Sequence, residues 1–302
     1  MLQINQLVCL VSRPVSESVA LRQAVHLMSV HNASSGERTT LHVVSARCDD
    51  AAAFKEAVWE VLGALPAGIA VETRVLGGNR DPAVLPRMLQ RYAAEVDVDL
   101  LVLDPPSDRG VVPPLADDQT TALVEALPCP LFLVGEAAAP ASTKRILVPT
   151  DLSDESVHTL RHATELAAGY DASVVLLHVI DTSPYVALTT VDRLSLGSTT
   201  LTEHRARRRL QQFLQGARPP DVPIRTRIAF GEPADRIAHV VAEQGIDLLV
   251  LASHGAGAEP SLGPVADRVL RRVACPTILV RAGDRALLPG PQNANSAAES
   301  SS

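Results

Sequence analysis

The 302 residues, 46% hydrophobic and 20% charged with a formal net charge of −7, suit two domains of about 140 residues. They exclude a general nucleic-acid binder, because a phosphate backbone calls for a basic surface. No apolar stretch approaches the roughly 20 residues of a membrane span, and Met1-Leu2-Gln3-Ile4-Asn5-Gln6 has neither the basic segment nor the apolar core of a signal peptide.

Strands are predicted near 7–12, 40–45, 70–76, 99–104 and 131–134, with helices near 16–31, 51–64, 82–95 and 117–127 between them. A small, proline-marked stretch at 136–143 follows and reads as a linker. The alternation then resumes, with strands at 145–149, 173–179, 224–229, 247–252 and 277–281 and helices near 154–169, 192–217, 233–244 and 264–273. Alternating short apolar runs and longer amphipathic ones predict an α/β fold with a parallel sheet. Continuous Val/Ile/Leu blocks mark strands buried on both faces. Beyond about Gly283 the composition turns to Pro, Gly, Asn, Ala and Ser, so 283–302 is expected to be a disordered tail without a site.

The two halves repeat. Asp99-Leu100-Leu101-Val102-Leu103 returns as Asp247-Leu248-Leu249-Val250-Leu251, and Cys129-Pro130 before an apolar run returns as Cys275-Pro276. Leu41-His42-Val43-Val44 matches Leu177-His178-Val179-Ile180. Between the landmarks the copies diverge: the second holds Ser253-His254-Gly255-Ala256-Gly257, the first Pro105-Pro106-Ser107-Asp108. With no CxxC spacing among Cys9, Cys48, Cys129 and Cys275, neither a zinc site nor a disulfide framework is indicated, and a reduced, cytoplasmic setting is expected.

Across 143–282 the blocks fall in the order and spacing of a known family. Arg145-Ile146-Leu147-Val148-Pro149-Thr150-Asp151 with Ser156, Leu177-His178-Val179, Gly231-Glu232-Pro233, Leu251-Ala252-Ser253-His254-Gly255 and Ala274-Cys275-Pro276 together resemble a universal stress protein domain. Residues 1–137 resemble a diverged copy. The resemblance implies two tandem Rossmann-like, doubly wound domains, each a five-stranded parallel sheet flanked by helices. It also implies that they pair through their last strands as an intramolecular pseudo-dimer.

The family contains ATP binders and non-binders. Binders resemble one another in an aspartate after the first strand, beside the nucleoside, and in a G-x-x-G-x9-G-S/T loop after the fourth. Glycines let the backbone approach phosphate, and a helix N-terminus favours an anion; carboxyl ends of strands are where doubly wound sheets hold ligands. By this resemblance the second domain's nucleotide-binding residues are Pro149, Thr150, Asp151, Val179, Ala252, Ser253, His254, Gly255, Gly257, Gly263, Pro264 and Val265. It departs from the pattern in three places. Ala252 replaces the first glycine, seven residues rather than nine separate Gly255 from Gly263, and Pro264 replaces the final Ser/Thr, removing a hydroxyl and an N–H. The expectation is adenine recognition with a weakened grip on triphosphate. In the first domain, alignment of Ser18 with Ser156 puts Arg13 at the aspartate position, and the loop positions become Asp104, Ser107, Asp117 and Asp118. Carboxylates repel phosphate, so this half is expected to bind no nucleotide and to serve as the partner surface.

Plainer readings stand beside these. The glycine loop is also a tight strand-to-helix connection, and Asp151 is also an acid at a helix N-terminus. His158 and His162, one turn apart, have no third ligand at a telling spacing, so no metal is predicted. The Arg205, Arg207, Arg208 and Arg209 cluster faces away from Ala206, Leu210, Phe213, Leu214 and Ala217, which marks a solvated helix face. An adenylate-forming ligase would need a Ser-Gly-Gly phosphate loop where Pro149-Thr150-Asp151-Leu152-Ser153 stands. No nucleophile–base pair replaces it, so no enzyme is expected. The reading is a non-enzymatic stress-response protein that binds ATP or another adenine nucleotide in its second domain. The alternative is a ligand-free interaction module acting through protein partners, and further homodimerisation is open to either.

Overall fold

The computed structural model describes residues 4–35, 38–46, 48–76, 84–104, 118–127, 129–135, 143–182, 199–217, 219, 221–254 and 262–281. The first half runs β1 (Gln6–Val11), α1 (Val19–Ser35), β2 (Thr39–Ser45), α2 (Ala51–Leu62), β3 (Ile69–Val75), α3 (Leu85–Val96), β4 (Leu100–Leu103), α4 (Asp118–Ala126) and β5 (Leu131–Leu133). The second repeats the order with β6 (Arg145–Thr150), α5 (Asp154–Tyr170), β7 (Ser173–Ile180), α6 (Thr199–Ala217), β8 (Ile224–Phe230), α7 (Pro233–Gln244), β9 (Leu248–Ala252), α8 (Pro264–Leu270) and β10 (Thr277–Val280). Most of the 136–143 linker and all of the 283–302 tail lie outside the described residues.

The repeated Asp-Leu-Leu-Val-Leu has a mechanical basis. The Asp99 carboxylate accepts the N–H groups of Asn5 and Gln6 at 2.7 and 2.9 Å. Asp247 accepts those of Lys144 and Arg145, both at 2.9 Å. Each aspartate thus clasps the start of its half's first strand, satisfying donors that precede the ladder. The apolar residues behind it become a buried strand.

Among the described residues ten strands form one sheet, ordered β3-β2-β1-β4-β5-β10-β9-β6-β7-β8. Pairing is parallel within each half and antiparallel only where β5 meets β10, with Phe132 opposite Ile278. The Cys-Pro landmarks make those two residues equivalent, so a pseudo-two-fold axis passes between them. The expected pairing through last strands is therefore present within the chain. One core packs α1, α2, α5 and α6 against one sheet face, and another packs α3, α4, α7 and α8 against the opposite face. Both cores continue across the junction: Phe132 and Ile278 share the first, Leu131 and Leu279 the second.

Further contacts tie the halves beyond that ladder. The His26 and Tyr170 rings stack with centroids 5.8 Å apart, and Arg281 donates to the Val124 carbonyl at 2.8 Å. The Gly135 backbone lies so close to Ala274 that an added Cβ would sit 2.2 Å from its carbonyl oxygen.

Strand ladders correct two sequence alignments. Gln6 opposes Thr40 as Arg145 opposes Ser173, so the equivalent of His178 is Ser45 and that of His42 is Val175. The match of Leu41-His42 with Leu177-His178 is thus three residues out of register. Likewise Val11 corresponds to Thr150, which puts Ser12 rather than Arg13 opposite Asp151. The extra residue is taken up by a 3-10 turn, Val15–Glu17, ahead of α1, where a single helix from 16 is expected.

Candidate functional site

The turn leaving β6 is built from its own polar side chains. Thr150 Oγ1 accepts the Leu152 N–H at 2.9 Å, and Asp151 Oδ1 accepts Ser153 N–H at 3.0 Å and Ser156 Oγ–H at 2.7 Å. Ser153 then caps α5, whose first turn carries Asp154 and Glu155. The bend is tight enough to hold Leu152 at φ 67°, a left-handed conformation that costs a side-chain-bearing residue roughly 1–2 kcal/mol. Asp151 is consequently both the helix-start acid and a residue at the carboxyl end of its strand.

Across the sheet's carboxyl end, β9 leads into Ser253 and His254. The Ser253 N–H donates to the Val280 carbonyl at 2.8 Å, and its carbonyl accepts the Gly263 N–H at 2.7 Å. Its hydroxyl meets His254 Nδ1 at 2.9 Å. This fold-back brings Gly263 within 3.2 Å, measured to an added Cβ, of the Ser253 oxygen and the His254 Cα. Glycine is the residue that fits there. Pro264 follows at the start of α8, a position that tolerates the missing N–H.

These two turns, the end of β7 and the start of α7 border an open cavity of about 420 Å³. Of the predicted residues, Pro149, Thr150, Asp151, Val179, Ala252, Ser253, His254, Gly263, Pro264 and Val265 line it together. Gly255 and Gly257 lie outside the described residues. The lining also includes Leu177, His178, Asp181, Pro233 and Ile237, which sequence reasoning did not select. His178 neighbours Val179 and its Nδ1 lies 2.9 Å from the Thr150 carbonyl oxygen. Pro233 belongs to the Gly231-Glu232-Pro233 block and starts α7, and Ile237 lies one turn on. The cavity volume is of the size that holds small molecules.

Other sequence candidates stand apart from this cavity. His158 is exposed whereas His162 is 2% exposed, its Nδ1 at 2.8 Å from the His158 carbonyl oxygen. Burial holds the His162 imidazole below its usual pKa. The described residues contain no group of three or more His, Cys, Asp or Glu that could hold a metal, and no described helix is long and apolar enough to cross a membrane. Arg205, Arg207, Arg208 and Arg209 are exposed on α6, with Ala206 and Leu210 buried beneath them. Burial pushes the Cys275 thiol up to about 12, the opposite of an activated thiolate.

In the first half a carboxylate stands at the position equivalent to a cavity residue. Asp104, counted from the Asp99 clasp, stands where the second half has Ala252. It is 8% exposed. Its two oxygens accept the Ser18 hydroxyl and the Ala20 N–H, both at 2.9 Å. Ser156 leans on an aspartate from its half's first strand, whereas Ser18 leans on one from the fourth. Asp104→Ala is expected to strip α1 of this cap and leave the buried Ser18 hydroxyl without its acceptor, at a cost of about 2 kcal/mol. Chemical denaturation checks it, and an unchanged midpoint would show that water replaces the carboxylate.

A sequence model described as the universal stress protein family matches residues 142–281. The chain is 34% identical to a universal stress protein of Methanocaldococcus jannaschii over 140 residues, which is 46% of this chain and 82% of the relative. Among solved structures, a functionally unknown protein of Pseudomonas aeruginosa superposes with a TM-score of 0.67 at 16% identity, covering 92% of each chain. A universal stress protein of Archaeoglobus fulgidus gives a TM-score of 0.58 at 16% identity, over 92% of this chain and 99% of that one. Both structural likenesses are at the level of fold, and both extend over the two halves.

Proposed function

Because the chain belongs to the universal stress protein family, we propose that it is a non-enzymatic stress-response protein that binds an adenine nucleotide in its second half alone. In this reading residues 143–282 are the binding domain of a cytoplasmic protein. Residues 1–137 are a degenerate domain supplying the surface that a second copy would otherwise provide. The observation that supports it is the cavity of about 420 Å³ at the carboxyl ends of β6, β7 and β9, where Asp151, Val179, Ala252 and Val265 meet. That is where doubly wound sheets take ligands. Asp104, equivalent in position to Ala252, is instead bonded to Ser18 and Ala20 in the first half.

The test is calorimetric titration of nucleotide-stripped protein with AMP and ATP. One nucleotide per chain is expected, and Asp151→Ala is expected to weaken binding about tenfold, the loss of one charge-assisted contact. Two equivalents per chain would contradict a second-half site, and unchanged affinity in the variant would remove Asp151 from it. One observation favours a second reading, an interaction module without a ligand: Pro264 stands where the family's binders have Ser or Thr. Absence of heat with both nucleotides, together with an unshifted melting temperature, would establish that reading instead.

A further inference from the structure

Among the described residues the sheet ends in β3 on one side and β8 on the other. The last strands of the two halves, β5 and β10, are already hydrogen-bonded to each other. On β3 the ladder to β2 uses one alternate set of backbone groups. Thr39 N–H donates to the Gly68 carbonyl at 3.0 Å, and Leu76 N–H to the Ser45 carbonyl at 2.9 Å. The even-numbered residues between Gly68 and Leu76 therefore direct their backbone groups at β2. Those of Ile69, Val71, Thr73 and Val75 point to the other side. The side chains of Ile69, Val71 and Val75 pack on the first core, whereas Ala70, Glu72 and Arg74 are exposed. The Glu72 carboxylate approaches His42 Nδ1 only to 3.5 Å and its side chain stays 67% exposed, too long a contact for a firm hydrogen bond.

This strand is complementary to itself. When two copies of Val71-Glu72-Thr73-Arg74-Val75 run antiparallel and centred on Thr73, Glu72 of each lies opposite Arg74 of the other, and Val71 opposite Val75. Every side chain keeps the sheet face it already occupies. The valine and threonine pairs carry the outward backbone groups, so they become the hydrogen-bonded pairs. Glu72 and Arg74 fall at the intervening positions, where opposed side chains come closest. Moving the centre by one residue either way sets Glu72 against Glu72 or Arg74 against Arg74, which like charges disfavour. The other edge has no such register. Arg225 and Arg227 flank Thr226 on β8, and a pairing centred on any of the three opposes arginine with arginine. Arg227 is moreover engaged with Glu243 at 2.7 Å within its own chain. Charge of one sign along an edge turns further strands away.

We infer that a second copy of this chain docks on the β3 edge, antiparallel and two-fold about Thr73, making one sheet continuous through both copies. Such a contact uses the same patch on each partner and closes on itself, so it stops at a dimer. A strand with its flanking side chains is a small interface, and the dimer is expected to be half-dissociated at roughly tens of micromolar. High salt is expected to weaken it about threefold by screening the Glu72–Arg74 pairs. Glu72→Arg or Arg74→Glu alone sets like charges opposite each other and is expected to weaken it about tenfold or more. The exchanged pair, Glu72→Arg with Arg74→Glu in one chain, restores it.

The experiment is sedimentation equilibrium of the full chain from micromolar to near-millimolar concentration, for wild type, both single variants, the exchanged pair and an equimolar mixture of the singles. A wild-type dimer that each single change dissociates, and that the exchange and the mixture both regain, supports the proposal, because only opposed residues 72 and 74 give that pattern. A wild type that stays monomeric throughout overturns it. A dimer indifferent to both single changes overturns it too, since the copies then meet on another surface. Failure of the exchange and the mixture to regain the dimer overturns the register about Thr73. Thermal melting of each variant guards against misfolding. If Glu72→Arg lowers the melting temperature through its approach to His42, Arg74→Glu carries the test, and a dimer that survives it overturns the proposal.

Discussion

Gly135→Ala is expected to lower the free energy of unfolding by about 3 kcal/mol or more, at the upper end of what forced overpacking costs. The new Cβ would lie 2.2 Å from the Ala274 carbonyl oxygen and 3.4 Å from its carbon. Both are backbone atoms, so no side chain can rotate away. Relief requires β5 and the segment before β10 to part, which strains the Phe132–Ile278 pairing that joins the halves. The Arg281 bond to Val124 and the His26–Tyr170 stack lie elsewhere along the same junction, so disruption would spread into both cores. Urea unfolding measures the loss. Gly216→Ala is the control: nothing lies within 4 Å of a Cβ there, and alanine in a helix is expected to be neutral or stabilising by up to about 1 kcal/mol. Equal midpoints for the two variants would mean that the junction yields without cost.

Ala252→Phe is expected to abolish ligand binding, with a loss of about 100-fold or more, while leaving the fold intact. Ala252 ends β9 opposite Val280 and borders the cavity. A phenylalanine there fills space a base would need, and a hundredfold loss corresponds to about 2.7 kcal/mol. Because the cavity volume is about 420 Å³, the ring has room without displacing the core, and the melting temperature is expected to stay within a few degrees of wild type. Titration and thermal melting of the same sample separate the two effects. Undiminished binding in a folded variant would put the ligand somewhere other than this cavity.

The sequence was most informative where one residue type performs one mechanical task. Asp99 and Asp247 repeat because both clasp a strand start, and the Cys-Pro landmarks repeat because both precede the strands that join the halves. It was least informative about register. His42 and His178 sit in look-alike runs, yet strands buried on both faces read as near-continuous apolar blocks, which do not fix a sliding alignment. His42 turns out to be a buried side chain with its ring nitrogens 2.9 Å from Tyr92 Oη and 2.8 Å from Gln6 Oε1. His178, by contrast, borders the cavity. Ten cavity residues were recoverable because turns at strand ends keep their local order in the chain. Asp181 and Ile237 were not, since they reach the cavity through the β7 exit and the packing of α7, which a linear motif does not encode. Asp104 was read as a residue that repels phosphate. Its observed role, bonding Ser18 and the start of α1, depends on two segments 86 residues apart meeting in space.

The β5–β10 ladder also has a consequence in time. Phe132 leaves the ribosome 146 residues before its partner Ile278, a delay of roughly 7–30 s at typical rates of synthesis. Through that interval Leu131-Phe132-Leu133, paired with β4 on one side, leaves its other edge open, the kind of edge that recruits foreign strands. Until β10 emerges, that edge has no partner from its own chain. Slowing elongation between the halves would lengthen that exposure and lower the yield of folded protein without altering a single residue.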